Sequence, residues 1–183
     1  AAPSFKEKDR ALIAWYIREV SKYPIDVKMN TEVTDVSSLG ADEIIVATGA
    51  VAKRIPVKGV EHTVEAVDYL LGNKTVGDNV VVIGGGLTGC EIAYDLYLQG
   101  KKPTIVEMQD DLITTKGVCL ANTSYLRDFF KTNKVPVHLE TALCEVLEDG
   151  VTVKDKEGNT FVSCSTSISR VRDGGNPLHK SFR

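Results

Sequence analysis

The apolar positions divide the chain into three stretches of different character. In the first, Leu12, Ile13, Trp15, Tyr16, Ile17 and Val20 recur at helical spacing and predict a helix over 8–21, stopped by Pro24. Residues 25–29 then alternate apolar and polar, the period of a short strand, and residues 43–47 read as a second strand running into Thr48 and Gly49. In the middle stretch, 50–79, the pattern loosens. Pro56, Gly59, Gly72 and Gly77 punctuate it, and one short helix is expected around 64–71.

The third stretch carries the strongest pattern. Asn79-Val80-Val81-Val82-Ile83 is an almost continuous apolar run, as in a parallel strand buried on both faces. It enters Gly84-Gly85-Gly86-Leu87-Thr88-Gly89, and a helix is predicted from Leu87 to Gln99, with Gly100 at the left-handed stop position. A second strand covers 103–107. A helix over 123–132, capped near Asn122, and a strand over 135–139 follow. Turns at Asp149-Gly150 and Glu157-Gly158-Asn159 predict a β-meander of strands near 142–147, 151–154 and 160–164. The fold class expected is α/β: a Rossmann-like βαβ dinucleotide-binding domain with a central parallel sheet, helices on both faces and a β-meander.

A GxGxxG pattern alone is weak, but here it follows a buried strand, opens a helix and precedes a strand ending in an acid. Each glycine has its own reason. Gly84 permits the tight turn, Gly86 lets backbone approach a pyrophosphate, and Gly89 lets the helix pack close to the strand. Phosphates would lie over the helix N-terminus, where unpaired N–H groups and the helix dipole favour negative charge. Glu107 stands about 20 residues after Gly84, where a carboxylate can accept hydrogen bonds from the adenosine ribose. It would repel the 2′-phosphate of NADP, and Met108-Gln109-Asp110-Asp111 supplies no cation to neutralise one. NADH is therefore expected over NADPH. The competing readings are a glycine turn that binds nothing and a solvated carboxylate at a strand end.

Composition changes this picture little. The 183 residues are 43% hydrophobic and 26% charged, an ordinary globular mixture. A net charge of −3 gives no reason to expect nucleic acid. No apolar run approaches the roughly 20 residues that span a bilayer, and the first residues lack a signal-peptide pattern, so no membrane partner and a cytoplasmic location are expected. Cys90, Cys119, Cys144 and Cys164, and three scattered histidines, form no recognisable metal set. Cys90 falls in the first helical turn, where a thiol can be activated, but Glu91 follows it and a packed structural thiol is the better reading. No catalytic residue is assigned. Lys53, Arg54 and Lys58 read as a solvated basic group. Tyr97 and Lys101 match the spacing of the short-chain dehydrogenase pair but are split by Gly100 at the end of the phosphate helix, which argues against a free-standing dehydrogenase.

The segments 41–50, 55–60 and 80–108, with Ala47-Thr48-Gly49 followed by the glycine turn, resemble flavoproteins with two dinucleotide-binding domains. The likeness is nearest to the C-terminal region of old-yellow-enzyme-type flavin reductases, the group of 2-enoate reductase, 2,4-dienoyl-CoA reductase and NADH:flavin oxidoreductases, and of trimethylamine dehydrogenase. It covers about residues 1–160. The resemblance implies a partial FAD-binding segment over 1–55 with Thr48 and Gly49 beside FAD, a connector over 56–78, and an NAD(P) domain over 79–183 with a polar tail. It also implies a fragment of a larger enzyme. The rest of that flavoenzyme would be its partner, with FAD, FMN and a [4Fe–4S] cluster held mostly outside this chain. In the intact enzyme NADH would pass hydride to FAD. As in trimethylamine dehydrogenase, the domain could instead only hold ADP. One departure stands out: residues 163–175 are too polar for the middle of a sheet, and are expected at an edge or partly disordered.

Overall fold

The computed structural model describes residues 1–49, 52, 55–164 and 167–170. Its centre is a five-stranded sheet in the order β1-β8-β2-β3-β4, every neighbour pair parallel. The strands are β1 (Val64–Glu65), β2 (Asn79–Ile83), β3 (Lys102–Val106), β4 (Val137–His138) and β8 (Ser167–Arg170). A separate antiparallel sheet holds β5 (Ala142–Leu147), β6 (Gly150–Lys154) and β7 (Thr160–Cys164), the meander that the two glycine turns predict. The helices are α1 (Glu7–Val20), α2 (Ala66–Leu70), α3 (Leu87–Leu98) and α4 (Leu120–Thr132).

The apolar run of β2 is continuous because both of its faces are covered. Side chains alternate across a strand. Val80 and Val82 join Cys90, Ile92, Ala93 and Leu96 of α3, Leu126 and Phe130 of α4, and Ile105 in one core, against which Tyr69 and Leu70 of α2 also pack. Val81 and Ile83 join Val106 and the meander residues Val146, Val151 and Val153 in a second core. The α/β Rossmann-like class expected from the sequence is therefore the one observed, with a difference in its layers. The three helices share one face, and the meander takes the face where further helices were expected. Val80, Val82, Ile105 and Phe130 are at most 1% exposed, and burying each such side chain contributes about 1.5–3 kcal/mol.

Helix ends follow local chemistry. Gly100 stops α3 in the left-handed conformation (φ 80°), with its N–H on the Tyr97 carbonyl and that of Lys101 on Leu96. Helix α4 begins three residues earlier than expected. Cys119 is its extended N-cap, and Thr123, inside the first turn, returns its hydroxyl to the Leu120 carbonyl instead of starting the helix.

Three sequence-based expectations fail. Residues 25–29 and 43–47 form no strand: they have no ladder partner among the described residues, and Ile45 is 93% exposed. A strand-like side-chain pattern alone does not make a strand, because its backbone groups need a neighbouring strand to bond. The polar segment fails in the opposite direction. Ser167–Arg170 is not at an edge but is inserted between β1 and β2, with Val80 opposite Ser167 and Ile83 opposite Arg170. The backbone ladder, which is blind to side-chain polarity, outweighs strand propensity there: β2 is apolar on both faces and needs a neighbour on each edge. Residues 171–183, with Lys53 and Arg54, lie outside the described residues.

The N-terminal segment is fastened to α3. Ser4 donates its N–H (3.0 Å) and hydroxyl (2.5 Å) to Asp95, Phe5 stacks edge-on against Tyr94, and Lys6 pairs with Glu91 at 2.7 Å. Beyond these contacts α1 buries none of its own residues. Among the described residues no helix is long and apolar enough to cross a membrane.

Candidate nucleotide-binding site

Strand β2 delivers the chain to the carboxyl edge of the sheet, where the glycine turn reverses it into α3. Gly84 takes φ 104°, a conformation that side-chain-bearing residues rarely adopt, while its N–H bonds the Val106 carbonyl at 2.8 Å. At Gly89 a β-carbon would lie 1.9 Å from the Gly84 carbonyl oxygen, so the helix passes the turn at a distance only glycine permits. Gly86 is different. Its backbone is ordinary (φ −67°), and a β-carbon there would meet nothing within 4 Å. The space beside Gly86 is open for a ligand, and no side chain caps α3, so its first-turn N–H groups are available to an anion.

Glu107, just past β3, is buried (8% exposed), and its carboxylate spans two backbone donors. The Gly85 N–H donates to Oε2 at 2.5 Å and the Gln109 N–H to Oε1 at 2.7 Å. A carboxylate oxygen carries two lone pairs, so each retains capacity for a further donor. Gly84, Gly86, Thr88 and Glu107 line one cleft of about 470 Å³, together with Ile55, Met108, Thr114, Thr115, Thr141 and Leu143. This is the position outside the carboxyl ends of parallel strands where ligands sit in open α/β sheets. The residues present fit a dinucleotide: an open approach at Gly86, an uncapped helix start, and an acid at the far end of the cleft.

Gly85, expected in the site but without a role of its own, is the pivot of the arrangement. Its N–H is held by Glu107, and its carbonyl accepts from the Ile113 N–H at 2.8 Å and the Cys90 thiol at 3.3 Å. A β-carbon at Gly85 would stand 2.5 Å from Leu112 Cδ2. Cys90 is fully buried. Desolvation pushes its thiol up to about 12, with the Arg127 charge opposing and the Glu107 charge reinforcing the rise. The packed structural thiol preferred from the sequence is what the structure contains. Leu87 lies in the first turn of α3 and packs against the helical core instead of lining the cleft.

Thr48 and Gly49 are exposed, with Gly49 in the left-handed conformation (φ 76°), and do not line this cleft. Lys58 is solvent-exposed, as the sequence suggested, and pairs there with Glu145 at 2.6 Å, while its carbonyl accepts from the Val146 N–H. That bridge, with Gly59 at φ 77° pressed against the Val146 carbonyl, brings Ile55 to the rim. Ile55, Leu143 and the threonines at 88, 114, 115 and 141 are cleft residues; apart from Thr88 they carry no motif that the sequence could have shown. Tyr97 donates its hydroxyl to Asn133 at 3.1 Å, a packing role, while the Lys101 ammonium bonds the carbonyls of Val76 and Gly77. Among the described residues no group of His, Cys, Asp or Glu is placed to hold a metal ion.

A parallel sheet with a glycine turn, an uncapped helix N-terminus and an acid at the next strand end defines a dinucleotide-binding α/β protein. The chain belongs to the pyridine nucleotide-disulphide oxidoreductase family, whose sequence profile matches residues 6–171. It is 34% identical over 169 residues to a cinnamate reductase of Clostridium sporogenes, covering 91% of this chain and 25% of that protein. It is 31% identical over 179 residues to an NADH oxidase of Thermoanaerobacter brockii, covering 92% and 27%. The chain thus spans about a quarter of the length of these relatives. In fold it resembles a solved 2-naphthoyl-CoA reductase, with TM-score 0.80 over 94% of this chain and 26% of that one, at 22% identity.

Proposed function

We propose that this chain is the NADH-binding domain of a flavin-dependent oxidoreductase of the 2-enoate reductase type. The observation that carries the reading is the pairing, in one cleft, of an open Gly86 approach with the buried Glu107 carboxylate. The pyrophosphate lies over Gly84–Gly89 and the start of α3, with Thr88 at its edge. The adenosine ribose donates its hydroxyls to Glu107. A 2′-phosphate would be brought against that carboxylate, which favours NADH over NADPH. In the intact enzyme the bound nicotinamide supplies hydride to FAD, beside which Thr48 and Gly49 lie. FMN and a [4Fe–4S] cluster belong to the remainder of the protein, the partner of this domain. The likeness to a cinnamate reductase supports an enoate-type acceptor, and the likeness to an NADH oxidase supports the donor.

The same residues read only the ADP half of the ligand, so a domain that holds ADP and takes part in no hydride transfer is the second reading. Calorimetric titration of the chain with NADH, NADPH, ADP and FAD under identical conditions separates the two. NADH binding more tightly than ADP and NADPH is the expected result. Equal affinity for ADP and NADH supports the holding role, and absence of both refutes the site. Glu107→Gln removes the charge at the ribose and is expected to narrow the NADH preference over NADPH by about tenfold, the order of one charge-assisted hydrogen bond.

A further inference from the structure

Arg127 lies on α4 and does not line the cleft, yet it ends a chain of contacts that leads into it. Its Nε and Nη2 donate to the two carboxylate oxygens of Asp111 at 3.1 and 2.9 Å, a two-pronged pair, and Nη2 also donates to the Leu112 carbonyl. Asp111 in turn accepts the Leu112 N–H at 2.7 Å. The planar guanidinium suits this double grip, which a lysine would make with one prong.

The next residue is strained. Ile113 holds φ 53°, a left-handed conformation that a β-branched side chain disfavours, and is only 4% exposed. Such a conformation is costly and persists only where its surroundings over-determine it. Here three things do so: burial of Leu112 and Ile113 in the helical core, the Ile113 N–H bond to the Gly85 carbonyl, and the grip of Arg127 just before it. The Gly85 peptide is therefore braced from both ends, by Ile113 on its carbonyl and by Glu107 on its N–H.

We infer that Arg127 is a positioning residue for the nucleotide: by gripping Asp111 and Leu112 it locks Ile113 onto Gly85 and so holds the glycine turn and Glu107 in binding geometry. This rests on the nucleotide-binding reading given above. Magnitudes separate positioning from general stabilisation. An ion pair as exposed as this one contributes little to folding. A site, by contrast, needs its groups held within about 0.5 Å, so loosening the turn costs far more in affinity than in stability.

The test is calorimetric titration of the full chain and its Arg127→Met, Arg127→Lys and Asp111→Asn variants with NADH and with ADP. Urea unfolding and amide hydrogen exchange are measured alongside. Arg127→Met is expected to bind both nucleotides about tenfold more weakly with a nearly unchanged urea midpoint, and to exchange the Ile113 amide faster. Arg127→Lys recovers part of the affinity. Adding Asp111→Asn to Arg127→Met costs nothing further, because both act on one chain of contacts. Wild-type affinity in Arg127→Met overturns this role alone. Affinity that falls only in step with the urea midpoint, with lysine no better than methionine, makes Arg127 a general stabiliser and overturns it too. A wild-type chain that binds neither NADH nor ADP overturns the nucleotide reading and this role together.

Discussion

Replacing Gly89 by alanine tests the close passage of α3 over the glycine turn. The new β-carbon would stand 1.9 Å from the Gly84 carbonyl oxygen and 3.1 Å from its carbon, against the 3.4 Å of ordinary contact. The obstacle is backbone that already holds φ 104°, with its N–H committed to Val106. No side chain can swing away, so the helix must lift from β2 and disturb the contacts of Cys90, Ile92 and Ala93, all fully buried. Forcing atoms into a packed core costs about 1–3 kcal/mol, and the better helix propensity of alanine returns at most about 1. A net loss of about 1–2 kcal/mol corresponds to a fall in Tm of roughly 2–8 °C for a chain of this size. Urea and thermal unfolding followed by circular dichroism give the number. NADH affinity is expected to fall with it, since on the function proposed above the displaced turn would carry the pyrophosphate contacts. Stability within about 0.5 kcal/mol of wild type would refute the reasoning, because it would mean that helix and turn have slack where the geometry shows none.

Gly86→Ala should do the reverse: with nothing within 4 Å and φ −67°, stability changes by less than about 0.5 kcal/mol, while on the proposed function the methyl group would stand in the pyrophosphate path and weaken NADH binding at least about tenfold by calorimetry. Iodoacetamide at mild alkaline pH should label exposed Cys119 and Cys144 in the folded chain but reach Cys90, whose thiol burial holds at about 12, only after denaturation, as peptide mapping would report. The hydrogen bonds of Arg127 hold the Asp111 carboxyl below its usual range. A depressed carboxyl stabilises the fold above its unfolded pKa of about 3.9, and that contribution is lost as pH falls through the lower folded value. The gap in urea midpoint between wild type and Asp111→Asn should therefore be small near neutrality, shrink below about pH 4, and also shrink with added salt.

The sequence was most informative where one physical requirement dominates. Burial on both faces makes the β2 run readable, and the steric requirements of the strand–turn–helix junction make the conformational roles of Gly84 and Gly89 readable. The meander was legible through its turn residues. What could not be read depends on contacts distant in sequence. No local pattern announces that Asp111 meets Arg127, that Gly85 is braced by Ile113, or that Ile55 reaches the cleft through the Lys58 bridge to the meander. The two N-terminal strand expectations failed because an alternating or apolar run reports surface to be buried and says nothing about whether a partner strand lies beside it. The opposite error, at Ser167–Arg170, came from judging a strand by its side chains when its place was decided by backbone bonding to β1 and β2.

The position of β8 also bears on how the protein is made. On the ribosome β2 emerges long before its second neighbour, which among the described residues is the last strand of the sheet to be synthesised. Through that interval the nascent chain carries an open edge on Val80-Val81-Val82-Ile83, a segment with the composition of an aggregation template. A ribosome stalled before Ser167 would release a chain with that edge unsealed, a form for chaperones to hold or proteases to clear. The polar character of Ser167-Ile168-Ser169-Arg170 then has a use: the closing strand is itself a poor partner for other copies, so the edge is sealed by a segment that does not spread the pairing.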